Sequence, residues 1–227
     1  MDTSGYRVLV IDDEMEIRRL LKVALGAHGF SVVEATSGQE GLQGVLMNRP
    51  DLIILDLGLP DKDGLELIQQ IREWSAVPIV ILSARENEAE KVKALDAGAD
   101  DYVTKPFGMG EFLARLRTAL RHSQRNPDEP VLSFDDLVID RATRLVTVGG
   151  REIKLTPTEY ELVKTLASNA GKVLTHRQLL RAVWGPHQDD QTHYLRIYVA
   201  QLRRKLEVDA TRPRHIVTEP GVGYRLI

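Results

Sequence analysis

The chain has 227 residues, 43% hydrophobic and 28% charged, enough apolar material for one large core or two ordinary ones and too much for a disordered chain. It contains no cysteine, which excludes a disulfide framework and thiolate metal sites and suits a reducing cytoplasm. The net charge of −3 hides an asymmetry: 14 basic against 20 acidic residues through Ser123, then 16 against 13, with 10 against 5 from Lys172 onward. An acidic first half and a basic tail predict two domains with different partners. The N-terminus lacks the pattern of a signal peptide. The longest apolar runs, such as 52–55 and 77–82, fall far short of the ~20 residues a spanning helix needs, so no membrane partner is expected.

The first half alternates strand and helix. Val8 to Ile11 is a strand, and Ile17, Leu20, Leu21, Ala24 and Leu25 then recur at helical spacing. A strand at 30–35 precedes a helix opened by a Ser37–Glu40 capping box, with Leu42, Val45 and Leu46 on its apolar face. Strands at 52–55, 78–82 and 102–104 follow. They alternate with helices marked by Leu65, Ile68 and Ile71, then Val92 and Leu95 ending at Gly98, then Phe112, Leu113, Leu116 and Leu120. Five such units predict an α/β fold, a doubly wound five-stranded parallel sheet covered on both faces.

Residues 123–130 are polar, hold Pro127 and Pro130, and have no periodicity, as a linker would. Beyond them the pattern changes. Strands are expected at 137–139 and 145–148, and Gly149-Gly150 turns the chain into a returning strand at 152–155. Thr156-Pro157-Thr158-Glu159 opens one helix and Thr175 to Gln178 a second; Leu195, Val199, Leu202 and Leu206 mark a third. A terminal hairpin forms around Pro220-Gly221-Val222-Gly223. A small sheet, three helices and a hairpin suit a C-terminal winged-helix DNA-binding domain. The expected organisation is 1–122, a linker at 123–130, and 131–227.

Asp12 and Asp13 end the first strand and Asp56 the third, and in an open parallel sheet these ends converge on the functional crevice. Carboxylates gathered there repel one another unless a cation intervenes, and hard oxygens with open positions suit Mg²⁺. Lys105 and Ser83, after the fifth and fourth strands, reach the same edge. Acids after strands also serve as helix caps, the plainer reading of any one of them. In the second half, residues 192–207 taken at ~100° per residue put Leu195, Val199, Leu202 and Leu206 on one side and His193, Arg196, Ala200, Arg203 and Arg204 on another. That division suits a major-groove reader, and also an ordinary surface helix.

The motifs Val10-Ile11-Asp12-Asp13-Glu14, Leu55-Asp56-Leu57-Gly58-Leu59-Pro60-Asp61, Leu82-Ser83-Ala84, Gly98-Ala99-Asp100-Asp101-Tyr102 and Lys105-Pro106-Phe107 resemble a response-regulator receiver domain, a CheY/flavodoxin-like fold. The resemblance implies that Asp56 accepts a phosphoryl group from a sensor histidine kinase. It implies Mg²⁺ held by Asp13, Asp56 and the Gly58 carbonyl, with Asp12 acting through water, a cis bond at Lys105-Pro106, and Ser83 and Tyr102 as switch positions. Leu155-Thr156-Pro157-Thr158-Glu159-Tyr160-Glu161-Leu162, Val183-Trp184-Gly185, Leu202-Arg203-Arg204-Lys205-Leu206 and Gly221-Val222-Gly223-Tyr224-Arg225 resemble the OmpR/PhoB effector. That resemblance implies promoter DNA as partner, RNA polymerase as a further one, and a homodimer formed on phosphorylation through Lys91, Asp96, Asp101, Glu111, Arg115 and Arg117. Glu219-Pro220 replace the arginine that relatives often carry before the wing, which shifts the expected wing contact to Arg225 or to backbone amides. Asp56-Leu57-Gly58-Leu59-Pro60-Asp61, Trp74-Ser75-Ala76-Val77-Pro78, Trp184-Gly185-Pro186 and His193-Tyr194-Leu195-Arg196-Ile197-Tyr198 narrow it to regulators of potassium-transport operons. The competing classes are an aspartyl-phosphate hydrolase, disfavoured because Gly58 stands where such enzymes place a second aspartate, and an adaptor without DNA contact, disfavoured by the basic third helix.

Overall fold

Four-residue runs such as Leu52–Leu55 are apolar on both faces, and only a sheet with helices on either side buries them fully. The computed structural model describes residues 5–84, 87–123, 129–186 and 191–227. It divides into two compact units, Met1–Gln124 and Arg125–Ile227. Residues 124–128 of the expected linker lie outside the described residues.

In the first unit β1 (Arg7–Ile11), β2 (Ser31–Ala35), β3 (Leu52–Leu55), β4 (Ile79–Ser83) and β5 (Asp101–Thr104) form a parallel sheet in the order β2-β1-β3-β4-β5. The helices are α1 (Met15–Gly26), α2 (Gly38–Asn48), α3 (Gly64–Arg72), α4 (Glu88–Asp96) and α5 (Met109–Ser123). Val8, Val10, Leu52, Ile54, Val80, Leu82 and Val103 pack with Leu21 and Leu25 of α1 and Phe112, Leu116 and Leu120 of α5. In α1, Leu20 is exposed while Leu21 and Leu25 are buried, and α2 departs further from expectation. Leu46 is 62% exposed, and α2 buries Gly38, Gly41 and Gly44 with Val45 instead. A Cβ on Gly41 would meet Ile11 Cδ1 at 2.7 Å, so α2 approaches β1 on its glycines and turns Leu46 outward. Its capping box is half formed: Ser37 accepts from the Glu40 amide, but the Glu40 carboxylate accepts from the Thr36 amide and hydroxyl.

The second unit opens with a strand the sequence pattern did not reveal, β6 (Val131–Phe134), which pairs with β7 (Leu137–Asp140). With β8 (Leu145–Val148) and β9 (Arg151–Glu152) it forms an antiparallel four-stranded sheet in chain order. The returning strand expected at 152–155 is only Arg151–Glu152. Then come α6 (Pro157–Ser168), a short β10 (Leu174–Thr175), α7 (His176–Trp184), α8 (Thr192–Leu206), β11 (Ile216–Glu219) and β12 (Gly223–Leu226). Thr156 with Glu159, and Thr175 with Gln178, form complete capping boxes, each cap contributing ~1 kcal/mol. Leu162, Leu166, Leu179, Leu180, Leu195, Val199, Leu202 and Leu206 close one core under the sheet.

The hairpin β11–β12 is held to the helices by β10, which pairs with β12 at Thr175↔Gly223. A Cβ on Gly223 would collide with the Leu174 carbonyl oxygen. Gly223→Ala is therefore expected to break this pairing and destabilise the second unit by about 1–3 kcal/mol. Calorimetry of the full chain should show that unit's transition lowered while the first unit's stays in place.

Candidate functional site

The chain order of the five-stranded sheet reverses between β1 and β3, and the crevice of such a sheet lies at the carboxyl ends there. Register does the rest. Ile11 pairs with Leu55, and the Asp56 amide donates to the Ile11 carbonyl, so Asp12 and Asp56 emerge side by side. Ser83 pairs with Thr104, and the Lys105 amide donates to the Ser83 carbonyl, which brings Lys105 to the same edge. The Lys105-Pro106 bond is cis, as expected.

The Lys105 ammonium lies 3.0 Å from Asp12, 3.0 Å from Glu14 and 3.1 Å from Asp56. Asp12, Asp56 and Ser83 are buried. Asp56 keeps one oxygen on Lys105 and accepts on the other from the Gly58 amide. Burial pushes the Asp12 carboxyl above its ordinary value, against hydrogen bonds from Lys105 and the Glu14 amide. Burial also works against the charge on Lys105, but hydrogen bonds to Glu14 and Asp12 and the field of Asp56 raise its pKa above that of an ordinary lysine. Glu14, absent from the sequence-based site, is thus a full partner; an acid directly after Asp12-Asp13 was the available signal.

Asp13 lies exposed at the end of β1. Among the described residues, no three histidine, aspartate or glutamate side chains are set out as a ready cation cage. The donor set nevertheless fits Mg²⁺. Its atoms are hard oxygens, and three carboxylates around a single ammonium leave the pocket negative.

Tyr102 is buried, with the Lys91 ammonium 5.7 Å from its ring centroid. On the face formed by α4, β5 and α5, Arg115 pairs within the chain, at 3.2 Å from Asp101 and 2.9 Å from Glu111. Asp101 is buried, and Arg117 donates to the Leu113 carbonyl. Lys91 and Asp96 of α4 are half-buried.

In the second unit the apolar stripe of α8 is buried as expected, and His193, Arg196, Ala200 and Arg204 are exposed. Arg203 is different. Its guanidinium donates to the Ile216 carbonyl and the Thr218 hydroxyl and lies 5.8 Å from the Tyr224 ring centroid. Arg203 therefore fastens α8 to β11, a correction to its place on the outward basic face. Arg225 is also corrected. It is buried, ion-pairs with Glu219 at 2.7 Å and donates to the Gly171 carbonyl, so it braces the hairpin from inside. Lys172, Arg177 and Arg181 are exposed around α7.

A stability consequence follows from Asp12. A carboxyl raised on folding favours the native state below its unfolded pKa and loses that contribution as pH climbs through the raised value. Asp12→Asn removes the loss and should stabilise the first unit at pH 7 by about 1 kcal/mol, the usual scale of a favourable substitution. Denaturation at pH 7 and pH 4 should show the gap over wild type narrowing in acid.

Residues 8–117 match the response regulator receiver domain family, and residues 150–226 match the family of transcriptional regulatory protein C-terminal domains. The chain is 54% identical over 221 residues to the KDP operon transcriptional regulatory protein KdpE of Escherichia coli (strain K12), covering 97% of this chain and 98% of that one. It is 49% identical over 220 residues to the transcriptional regulatory protein KdpE of Mycobacterium tuberculosis (strain ATCC 25618 / H37Rv), covering 96% and 97%. The crystal structure of the response regulator DrrB, a Thermotoga maritima OmpR/PhoB homolog, aligns with a TM-score of 0.51 at 31% identity over 97% of this chain and 98% of that one. With both halves matched and full-length relatives at this identity, the chain belongs to the OmpR/PhoB family of DNA-binding response regulators, among the KdpE proteins.

Proposed function

We propose that Asp56 accepts a phosphoryl group from the phospho-histidine of a KdpD-like sensor kinase, and that the phosphorylated protein binds promoter DNA to control a potassium-transport operon in the cytoplasm. The observation that carries this reading is Lys105 bridging Asp56 to Asp12 and Glu14 at the reversal of the sheet. The Asp56 carboxylate attacks phosphorus, the bond from phosphorus to the donor nitrogen breaks, and the histidine keeps the bonding pair. Lys105 holds positive charge within hydrogen-bonding reach of the acceptor oxygen and stabilises charge on the transferring oxygens. Asp13, Asp56 and the Gly58 carbonyl, with Asp12 through water, would hold the Mg²⁺ that receiver domains generally bind, which when bound would supply neutralisation of the negative charge there. The Ser83 hydroxyl, at the end of β4, can donate to the new oxygens. The protein is the acceptor in this transfer, and its own catalysis is limited to reaction with small donors and loss of the phosphoryl group.

Phosphorylation adds roughly −1.5 to −2 charge, judged by phosphate on hydroxyl residues, at a site where Lys105 already serves three carboxylates. The response is a repacking at Ser83 and Tyr102 that alters the α4–β5–α5 face, where Lys91, Asp96, Asp101, Glu111, Arg115 and Arg117 set the register of a two-fold dimer. Effector domains then place α8 in the major groove of half-sites ~10 bp apart, with Arg196 and Arg204 the exposed basic contacts.

Acetyl phosphate with Mg²⁺ should label wild type and not Asp56→Asn, as read by intact mass; labelling that survives in the variant, or that persists in chelator, overturns the acceptor or the metal assignment respectively. Sedimentation should show the labelled receiver dimerising and Arg115→Glu remaining monomeric at the same concentration. A variant that dimerises like wild type would place the interface elsewhere.

A further inference from the structure

At ~100° per residue, His193, Ile197, Ala200 and Arg204 fall on one line along α8, diametrically opposite the buried stripe of Leu195, Val199, Leu202 and Leu206. All four are exposed. The centre of the outward face is therefore apolar: Ile197 is 40% exposed and is not among the side chains packed against the core, and Ala200 follows one turn later. An isolated exposed isoleucine needs no explanation. This one lies in the middle of the row that also carries Arg204, with Arg196 beside it. Among the described residues no hydrogen bond or ion pair engages either guanidinium.

We propose that Ile197, with Ala200 beside it, reads the 5-methyl group of thymine in the major groove and so sets sequence preference. This rests on the reading that α8 enters that groove. Thymine alone among the bases presents an apolar group on its major-groove edge, whereas cytosine presents an amino donor that Ile197 could only desolvate. Ala200 is short enough to let the helix approach the base edges closely, which a longer side chain at that position would prevent. Positive charge from Arg196 and Arg204 on either side anchors the phosphates and keeps the apolar contact in register. The readout thus divides: charge supplies affinity for any duplex, and the isoleucine supplies discrimination between thymine and cytosine at the position it faces.

The test uses the full-length phosphorylated protein and the duplex it prefers from a random pool. Each thymine is replaced in turn by uracil, which lacks only the methyl. Wild type should lose about fourfold in affinity at one or two positions per half-site, the worth of one buried methyl-sized group. Ile197→Ala should lose a similar factor on thymine DNA and nothing further on uracil DNA, and Ile197→Val should keep the sensitivity. Indifference of wild type to every replacement, or undiminished sensitivity in Ile197→Ala, overturns the inference. Arg204→Ala and Arg196→Ala separate this from the underlying reading. If either weakens binding to preferred and scrambled DNA alike and lowers the salt slope by about 1 while uracil has no effect, α8 lies on the duplex and only the methyl contact falls. If both, and Ile197→Ala as well, keep wild-type affinity and discrimination, α8 is not the reader.

Discussion

One ammonium group, that of Lys105, holds together a sheet edge that would otherwise repel itself. The parallel topology and the Ile11–Leu55 register force Asp12 and Asp56 into adjacency, and Glu14 joins them from the turn that follows. Two unit charges 4 Å apart at an effective dielectric of 20 interact by about 4 kcal/mol, so carboxylates packed this closely need a counter-charge to persist as anions. Lys105 supplies one, while burial still holds the Asp12 carboxyl above its ordinary value. On the proposed reading, a pocket left short of positive charge is one where a divalent cation and, with it and the lysine, a phosphoryl group would be favoured.

The second unit uses inward-facing cations for a different problem. Arg203 and Arg225 each carry a guanidinium into the protein, where carbonyls and Glu219 receive it. Hydrogen bonds to charged groups contribute about 1.5–3 kcal/mol each, enough to make α8 and the terminal hairpin one rigid element. Glu207 reinforces this by accepting from the amides of Arg214, His215 and Ile216, which fixes the chain between α8 and β11. Arg196 and Arg204 are left outside on a helix whose orientation is already set. Preorganisation of this kind means that less ordering entropy is lost when DNA is bound.

What the sequence disclosed was whatever depended on local pattern. Strand runs, the capping boxes at Thr156 and Thr175, and the apolar stripe of α8 are short-range signals, and each led to the element observed. The convergence of Asp12, Asp56, Ser83 and Lys105 was legible too, because parallel topology alone carries strand ends to one edge. Contacts settled by tertiary approach were not legible. The burial of glycines in place of Leu46 on α2 follows from how near that helix lies to Ile11 and Leu9, which no periodicity encodes. Strand β6 was missed because its alternation spans four residues next to a proline-rich stretch. Arg203 and Arg225 read as surface charge because helical angle and composition cannot distinguish an arginine that faces solvent from one that folds back onto a carbonyl. Ile197 was overlooked for the converse reason: apolar residues invite a search for a core, and this one has none.

The dimer face bears on how much work phosphorylation must do. Arg115 already has partners in its own chain, the buried Asp101 and the exposed Glu111. An intermolecular pair formed by Arg115 would therefore replace an existing contact, and the net gain is the difference between two similar energies. Exposed pairs contribute only about 0–1 kcal/mol in any case. Such exchanges leave the association constant nearly unchanged while penalising any docking that pairs like charges, so the charges fix which face meets which and contribute little strength. On the proposed reading, the driving force would then come from altered packing at Ser83 and Tyr102. Because each 1.4 kcal/mol of differential stabilisation shifts the monomer–dimer equilibrium tenfold, a modest repacking is sufficient to turn a weak association into a populated dimer.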